Sequence, residues 1–279
     1  MLGIRFTKTG KLCYAEMQNF LLKSGDLVIA QTDKGLEMGR VVSKVNKEEI
    51  IDKISEQDIV KIERQATPSD IKRQEELKEK AKKSLEICKN KIKKYNLDMK
   101  LVFATYTLDE SKVIFYFTAE QRVDFRDLVK ELANEFKTRI ELRQIGPRDE
   151  VKSFPSLGTC GKELCCRTFL PDFESVTIKT AKEQGLQINM QKLSGCCGKL
   201  KCCLKYEEDI YKEKLKTLPK MNEIIEYQGE NGKVVGQDIL AQKLKLKLGQ
   251  PGEERFVFCH VDEVKRINKK GSKEEGSEE

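Results

Sequence analysis

A chain of 279 residues with 35% charged and 38% apolar content calls for several modest cores rather than one large one. No apolar run approaches the roughly 20 residues of a bilayer span, and Met1-Leu2-Gly3-Ile4-Arg5-Phe6 lacks a signal-peptide core, so a cytoplasmic protein with no membrane insertion is expected. The net charge of +7 permits an RNA or acidic partner, but 7% aromatic content without tryptophan argues against a dedicated base-stacking platform.

Residues 1–66 read as an N-terminal β module. Gly25-Asp26-Leu27-Val28-Ile29-Ala30 is an apolar strand after a turn signal, Thr32-Asp33-Lys34-Gly35 is a turn, and Glu37-Met38-Gly39-Arg40-Val41-Val42 returns as a second strand, giving a small twisted sheet or barrel. Residues 67–150 follow as a helix plus a strand-strand-helix-strand unit. Thr67-Pro68-Ser69-Asp70 starts the helix, with Ser69 as the expected cap, and Leu77, Ala81, Leu85, Cys88, Ile92 and Tyr95 make one apolar stripe. Leu101–Tyr106 and Val113–Phe117 flank the turn Asp109-Glu110-Ser111 as a hairpin. Phe125, Leu128, Val129, Leu132, Ala133 and Phe136 give a helical stripe, and Arg139–Arg143 alternates as a strand with Ile140 and Leu142 inward before Gly146-Pro147 breaks it.

Residues 151–207 hold the cysteine-rich segment, and a short helix is expected near Asp209–Leu215. Residues 208–268 form a C-terminal, β-barrel-like module: Asn222–Tyr227 and Gly232–Gly236 echo residues 25–42, and Lys243-Leu244-Lys245-Leu246-Lys247-Leu248 alternates like a strand with one wet face. Residues 269–279, rich in Lys, Glu, Gly and Ser, should be disordered. The fold class is therefore α+β, with β-rich modules flanking a central unit and a cysteine-rich segment.

Seven of the ten cysteines lie between Cys160 and Cys203. In a reducing compartment such crowding points to metal rather than disulfides, whereas Cys13, Cys88 and Cys259 stand alone and read as small buried hydrophobes. Cys160-Gly161-Lys162-Glu163-Leu164-Cys165-Cys166 and Cys197-Gly198-Lys199-Leu200-Lys201-Cys202-Cys203 are near copies shifted by 37 residues, and Cys196 adds a seventh thiol. A soft metal needs several thiolates converging, and Gly161 and Gly198 let the backbone turn close to it. Lys162, Lys199, Arg167 and Lys201 can offset the negative charge of a thiolate-ligated cluster. Adjacent cysteines seldom both ligate one metal, so each Cys-Cys pair divides its duties. The absence of Cys-x-x-Cys places an iron–sulfur cluster ahead of zinc, which remains the alternative. Four thiolates close one cluster, leaving three for a second site completed by a partner subunit.

Ile145-Gly146-Pro147-Arg148-Asp149-Glu150, Gly158-Thr159-Cys160-Gly161 and the run Leu193-Ser194-Gly195-Cys196-Cys197 through Leu204-Lys205-Tyr206-Glu207 resemble the RicT (YaaT) family of bacterial proteins, whose polymerase-suppressor-protein C-terminal region corresponds to about residues 62–147. The resemblance implies a subunit without catalysis of its own, working with small helical RicA-like and RicF-like proteins in a complex that binds one or two 4Fe–4S clusters and with which a flavin, FAD, is associated. That complex assists endoribonuclease Y in mRNA processing and maturation, and through it sporulation, competence and biofilm formation. It implies Cys160, Cys165, Cys166, Cys197, Cys202 and Cys203 as cofactor ligands. Nothing in the chain itself matches a flavin fingerprint.

The residues leave two other functions open, a zinc-stabilised RNA-binding protein and an electron-transfer component. No Walker loop, dinucleotide fingerprint or zinc-protease motif is present, and His260, the single histidine, has no accompanying nucleophile motif and reads as structural or interfacial. Arg122, Arg126, Arg139 and Arg143 could line a phosphate-binding face, but a solvated surface is the simpler account, so any RNA contact is expected to be indirect.

Overall fold

The computed structural model describes residues 1–7, 10–16, 21–45, 55, 58–172, 174–250 and 252–267. They form an α+β protein in two compact units, Met1–Asp172 with Cys196–Lys199, and Phe173–Gly195 with Leu200–Glu279.

In the first unit, β1 (Leu2–Arg5), β2 (Cys13–Ala15), β3 (Leu27–Thr32), β4 (Gly35–Lys44) and β5 (Lys61–Gln65) form an antiparallel sheet ordered β2-β1-β4-β3-β5. Alternation buries Leu2, Ile4, Val28, Ala30, Val41 and Ile62 on one face. The edges meet where Tyr14 of β2 bridges Ile59, and the Val60 N–H donates to the Tyr14 carbonyl at 2.8 Å. That bridge links β2, at one end of the sheet, to the segment leading into β5 at the other.

Helix α1 (Pro68–Lys94) follows, buried along Leu77, Ala81, Ser84, Cys88 and Ile92. Its cap is Thr67, not Ser69: the Thr67 hydroxyl accepts from the Asp70 N–H, and the Asp70 carboxylate accepts from the Thr67 N–H at 2.8 Å. The proline decides this, because it fits the first helical turn and forces the residue before it into the extended conformation a cap requires. The helix ends at Tyr95, as its stripe predicts.

Strands β6 (Lys100–Tyr106) and β7 (Lys112–Thr118) form the expected hairpin. Helix α2 (Arg126–Phe136) then returns the chain to β8 (Arg139–Gln144), which pairs parallel to β7 with Ile140 and Leu142 packed on the core of Val113, Phe115, Leu128 and Leu132. Gly146-Pro147 ends β8 and opens helix α3 (Pro147–Lys152). A four-residue turn of helix, α4 (Cys165–Thr168), completes this unit's helices among the described residues.

The second unit carries α5 (Ile178–Glu183), α6 (Met190–Leu193) and α7 (Cys202–Thr217) around Ala181, Leu193 and Leu204. The helix expected near Asp209–Leu215 thus begins about two turns earlier, at Cys202. Lys201 provides no side-chain cap, so nothing in the local sequence marks the start.

Strands β9 (Ile224–Tyr227), β10 (Glu230–Asp238), β11 (Lys243–Leu248), β12 (Arg255–His260) and β13 (Val264–Arg266) form an antiparallel sheet ordered β12-β11-β10-β9-β13, and a 3-10 turn, Val261–Glu263, joins β12 to β13. The sheet is a four-strand meander whose fifth strand returns through that turn to lie beside the first, the arrangement of the β-barrel-like module expected here. Leu244, Leu246 and Leu248 face its core and the intervening lysines face out, as the alternation predicts. Residues 269–279, expected to be disordered, lie outside the described residues.

Candidate metal centre

The duplicated cysteine sequence is also a duplicated conformation. In the first copy Leu157 and Glu163 form an isolated antiparallel bridge, and in the second Ser194 and Leu200 do the same, so each copy is a tight hairpin knuckle. The Gly158 N–H donates to the Lys162 carbonyl at 2.8 Å, and the Gly161 N–H returns to the Gly158 carbonyl at 3.0 Å. Gly161 and Gly198 sit at φ +77° and +72°, the left-handed region, with open space where a Cβ would project. Each knuckle leads directly into a helix whose first two residues are the Cys-Cys pair.

Side chains fasten each knuckle. In the first, Arg167 spans from the Glu163 carboxylate at 2.8 Å to the Lys152 carbonyl at 3.1 Å. In the second, the Lys201 N–H donates to the Leu193 carbonyl at 2.9 Å, and Gln184 donates to the buried Leu204 carbonyl at 2.6 Å. Lys205 pairs with Glu174 at 2.8 Å and Glu208 at 2.5 Å. Hydrogen bonds to these two carboxylates, Glu174 first, hold its ammonium well above the usual lysine range.

The thiols are not equivalent. Cys160 and Cys196 are exposed, and Cys165, Cys197, Cys202 and Cys203 are half-buried. Cys166 is 7% exposed and faces the interior. Burial pushes the Cys203 thiol up, with Glu207 adding to the effect. In the first pair the second thiol is the more inward one, whereas Cys202 and Cys203 are both half-buried. Cys160, Cys165, Cys166, Cys196 and Cys197 lie in the first unit, and Cys202 and Cys203 in the second. Among the described residues, no three His, Cys, Asp or Glu side chains are gathered into a group that could hold a metal ion. The knuckles nonetheless fit a thiolate-ligated group in their chemistry: three soft donors in the first copy and four in the second, set on and just after a turn whose glycine leaves its outer side open.

The remaining cysteines are structural. Cys88 is fully buried and its thiol is pushed up to about 12 by desolvation. Cys259 is buried in the C-terminal core, and Cys13 packs against the N-terminal one. His260 caps the 3-10 turn through Nδ1 and lies 3.0 Å from the Asp262 carboxylate. Of the four arginines considered for phosphate contact, Arg126 pairs with Asp124 at 2.6 Å, and Arg143 reaches Asp33 at 3.3 Å and also pairs with Glu141. Composition argues against an aromatic platform, yet the structure sets Phe256 and Phe258 exposed on one face of β12. Their i, i+2 spacing stands in the sequence, but only the register of β12 against β11 sets them beside the lysines.

In two stretches the chain matches families of the PSP1 type. The family described as PSP1 C-terminal conserved region matches residues 60–145, and that described as PSP1-like protein, third domain, matches residues 175–218. The first match runs from just before β5 through β8, and the second spans α5 to α7 with the second knuckle. Stage 0 sporulation protein YaaT of Bacillus subtilis is 47% identical over 252 residues, covering 89% of this chain and 90% of that protein. The chain belongs to the YaaT (RicT) family. An uncharacterised protein of Schizosaccharomyces pombe is 27% identical over 144 residues, 43% of this chain and 19% of that protein. Protein PSP1 of Saccharomyces cerevisiae is 47% identical over 49 residues, 18% of this chain and 6% of that protein. No solved structure matches the chain.

Proposed function

We propose that this protein is a non-enzymatic regulatory subunit of the cytoplasm that carries a 4Fe–4S cluster and serves a sporulation-linked pathway. The observation that carries the reading is the knuckle repeated in both sequence and backbone, each copy presenting one thiol on the turn and one at the start of a helix. The two copies together carry seven thiols, more than the four a closed cluster takes. Its ligands are drawn from Cys160, Cys165, Cys166, Cys197, Cys202 and Cys203, one from each Cys-Cys pair, and exposed Cys196 is the spare donor for a second site completed by a partner. Lys162 and Lys199 at the knuckle tips balance the thiolate charge. A bound cluster supplies a covalent link between its ligating segments and a one-electron couple. In this reading metal binding organises the segments that carry the ligands, as it does wherever donors are gathered by the metal itself.

Likeness to a protein named for stage 0 of sporulation supports the pathway. In this reading the partners are two small helical proteins of the RicA and RicF kind, and the assembly assists endoribonuclease Y in mRNA maturation, with consequences for competence and biofilm formation. Among the described residues no helix is long and apolar enough to cross a membrane.

Anaerobic purification with iron, sulfide and zinc analysis tests the proposal. The expected result is a coloured protein with the thiolate-to-iron visible band, lost in Cys165→Ser and Cys202→Ser. A colourless, zinc-loaded chain would replace the cluster by a structural zinc site. A chain holding neither metal, with all seven thiols open to reagents, would sink the metal reading.

A further inference from the structure

The outer face of the C-terminal barrel carries an arrangement that neither the metal reading nor the barrel's own stability requires. In β11, Lys243, Lys245 and Lys247 all point away from the core. Register sets Lys247 between Lys233 of β10 and Phe256 of β12, and Lys245 between Gly236 and Phe258. Lys233 and Lys247 are therefore cross-strand neighbours of like charge, an arrangement that destabilises a sheet. Lys247 is answered by Glu254 at 2.5 Å, but among the described residues no carboxylate pairs with Lys233, Lys243 or Lys245. Asp238 stands opposite Lys243 in register.

The aromatic half of the face is equally unfavourable to the barrel alone. Phe256 and Phe258 are 57% and 71% exposed, so most of both rings meets water. The Lys245 ammonium lies 4.7 Å from the Phe256 ring centre and 5.6 Å from that of Phe258, a cation held between two rings. Lysines do protect exposed sheet edges against strand addition. In this barrel, however, the edge strand β12 carries the phenylalanines and the interior strand β11 carries the lysines, so edge protection does not account for them. Positions i and i+2 of a strand lie about 7 Å apart, which suits two rings receiving successive unstacked bases while a neighbouring lysine row meets the phosphates.

We propose that this face binds single-stranded nucleic acid directly, with Phe256 and Phe258 as stacking platforms and Lys233, Lys243 and Lys245 as phosphate contacts. Base–aromatic stacking tolerates any sequence because every base has a π face, so binding is strong in salt dependence and weak in sequence preference. The site stands independently of any metal centre: its residues lie in β10, β11 and β12, and no cysteine belongs to it.

Fluorescence anisotropy of the full chain with a labelled oligouridylate, and in parallel with oligothymidylate, tests the site. Phe256→Ala with Phe258→Ala should weaken binding roughly tenfold or more, since each lost stack removes at least about 1 kcal/mol. Lys243→Gln, Lys245→Gln and Lys233→Gln together should reduce the slope of log affinity against log salt by about 2, at about 0.7 per phosphate contact on a single strand. Because the wild-type chain has no tryptophan, Phe258→Trp adds a lone reporter whose emission should be quenched by stacking. Preference for the ribose or the deoxyribose oligonucleotide identifies the source of the ligand, and binding of either supports the site. Affinity unchanged in the double alanine variant, indole emission from the Phe258→Trp variant unquenched at saturation, or equal competition by polyglutamate would overturn it. The last of these would recast the face as a dock for acidic protein segments.

Discussion

Leu164 and Lys201, 37 residues apart in the chain, hold the same backbone conformation: φ −56°, ψ 131° in one and φ −59°, ψ 128° in the other. Each is the last extended residue of a hairpin knuckle and the residue before a Cys-Cys pair. Neither side chain resembles the other, so the backbone path, not the identity of that residue, is what the two copies share. The turn glycines, Gly161 and Gly198, set that path three residues upstream by entering the left-handed region.

Replacing Gly161 or Gly198 by Ala should therefore cost about 1 kcal/mol of stability each, the penalty for an L side chain in the left-handed region. No neighbour lies within 4 Å of either added Cβ, so the cost is conformational and not steric. Asn, which tolerates this region, should recover much of it. Thermal denaturation measures the loss, and metal content after anaerobic loading should fall in parallel.

The two thiols of a pair should respond differently to Ser. Cys165→Ser should remove metal while leaving the melting temperature of the metal-free chain nearly unchanged, because that thiol is half-buried. Cys166→Ser should retain metal but destabilise the chain by roughly 1–2 kcal/mol, since it places a hydroxyl in a 7% exposed site. Metal analysis and denaturant titration on the same samples separate the two roles; identical behaviour of both variants contradicts the division.

Thiol reactivity of the metal-free chain at mildly alkaline pH should fall into classes set by exposure. Cys160 and Cys196 should react first with an aromatic disulfide reagent. Cys88, buried and pushed up to about 12, should react only on unfolding, followed closely in resistance by buried Cys259. Mass spectrometry of partially labelled protein gives the order.

The start of α1 should set part of the acid stability. Arg64 donates to both Asp70 oxygens, one at 2.8 Å and the other at 2.5 Å, and with the Thr67 hydrogen bonds this holds the Asp70 carboxyl well below the usual carboxylate range. A carboxylate depressed by folding stabilises the native state above its unfolded pKa of about 3.9, and that contribution is lost as pH falls below this value. Asp70→Asn should thus lower stability at neutral pH and flatten the decline below about pH 4. Thr67→Ala should cost about 1 kcal/mol at all pH values, whereas Ser69→Ala should be nearly neutral. Urea denaturation across pH reads both.

Elements governed by short-range periodicity and backbone chemistry were legible in the residues alone. The stripe from Leu77 to Ile92 makes α1, the alternation from Lys243 to Leu248 makes β11, and the Asp109-Glu110-Ser111 turn makes a hairpin, because each pattern is satisfied by the same local geometry wherever it occurs. The knuckle repeat was legible for the same reason, since a glycine between fixed neighbours specifies a turn.

Long-range packing settled the remainder. It placed the start of α7 at Cys202, where no capping side chain announces a helix, and it set Cys166 inward while Cys165 stayed half-buried. It also linked the two ends of the N-terminal sheet through Tyr14 and Ile59, a bridge between segments 45 residues apart in the chain. The pairing of Lys245 with Phe258, and so the basic aromatic face, exists only through the register of β11 against β12. Register depends on which side of each strand the whole core buries, and a one-residue slip would send Phe256 and Phe258 inward; no window of sequence shorter than the barrel contains that information.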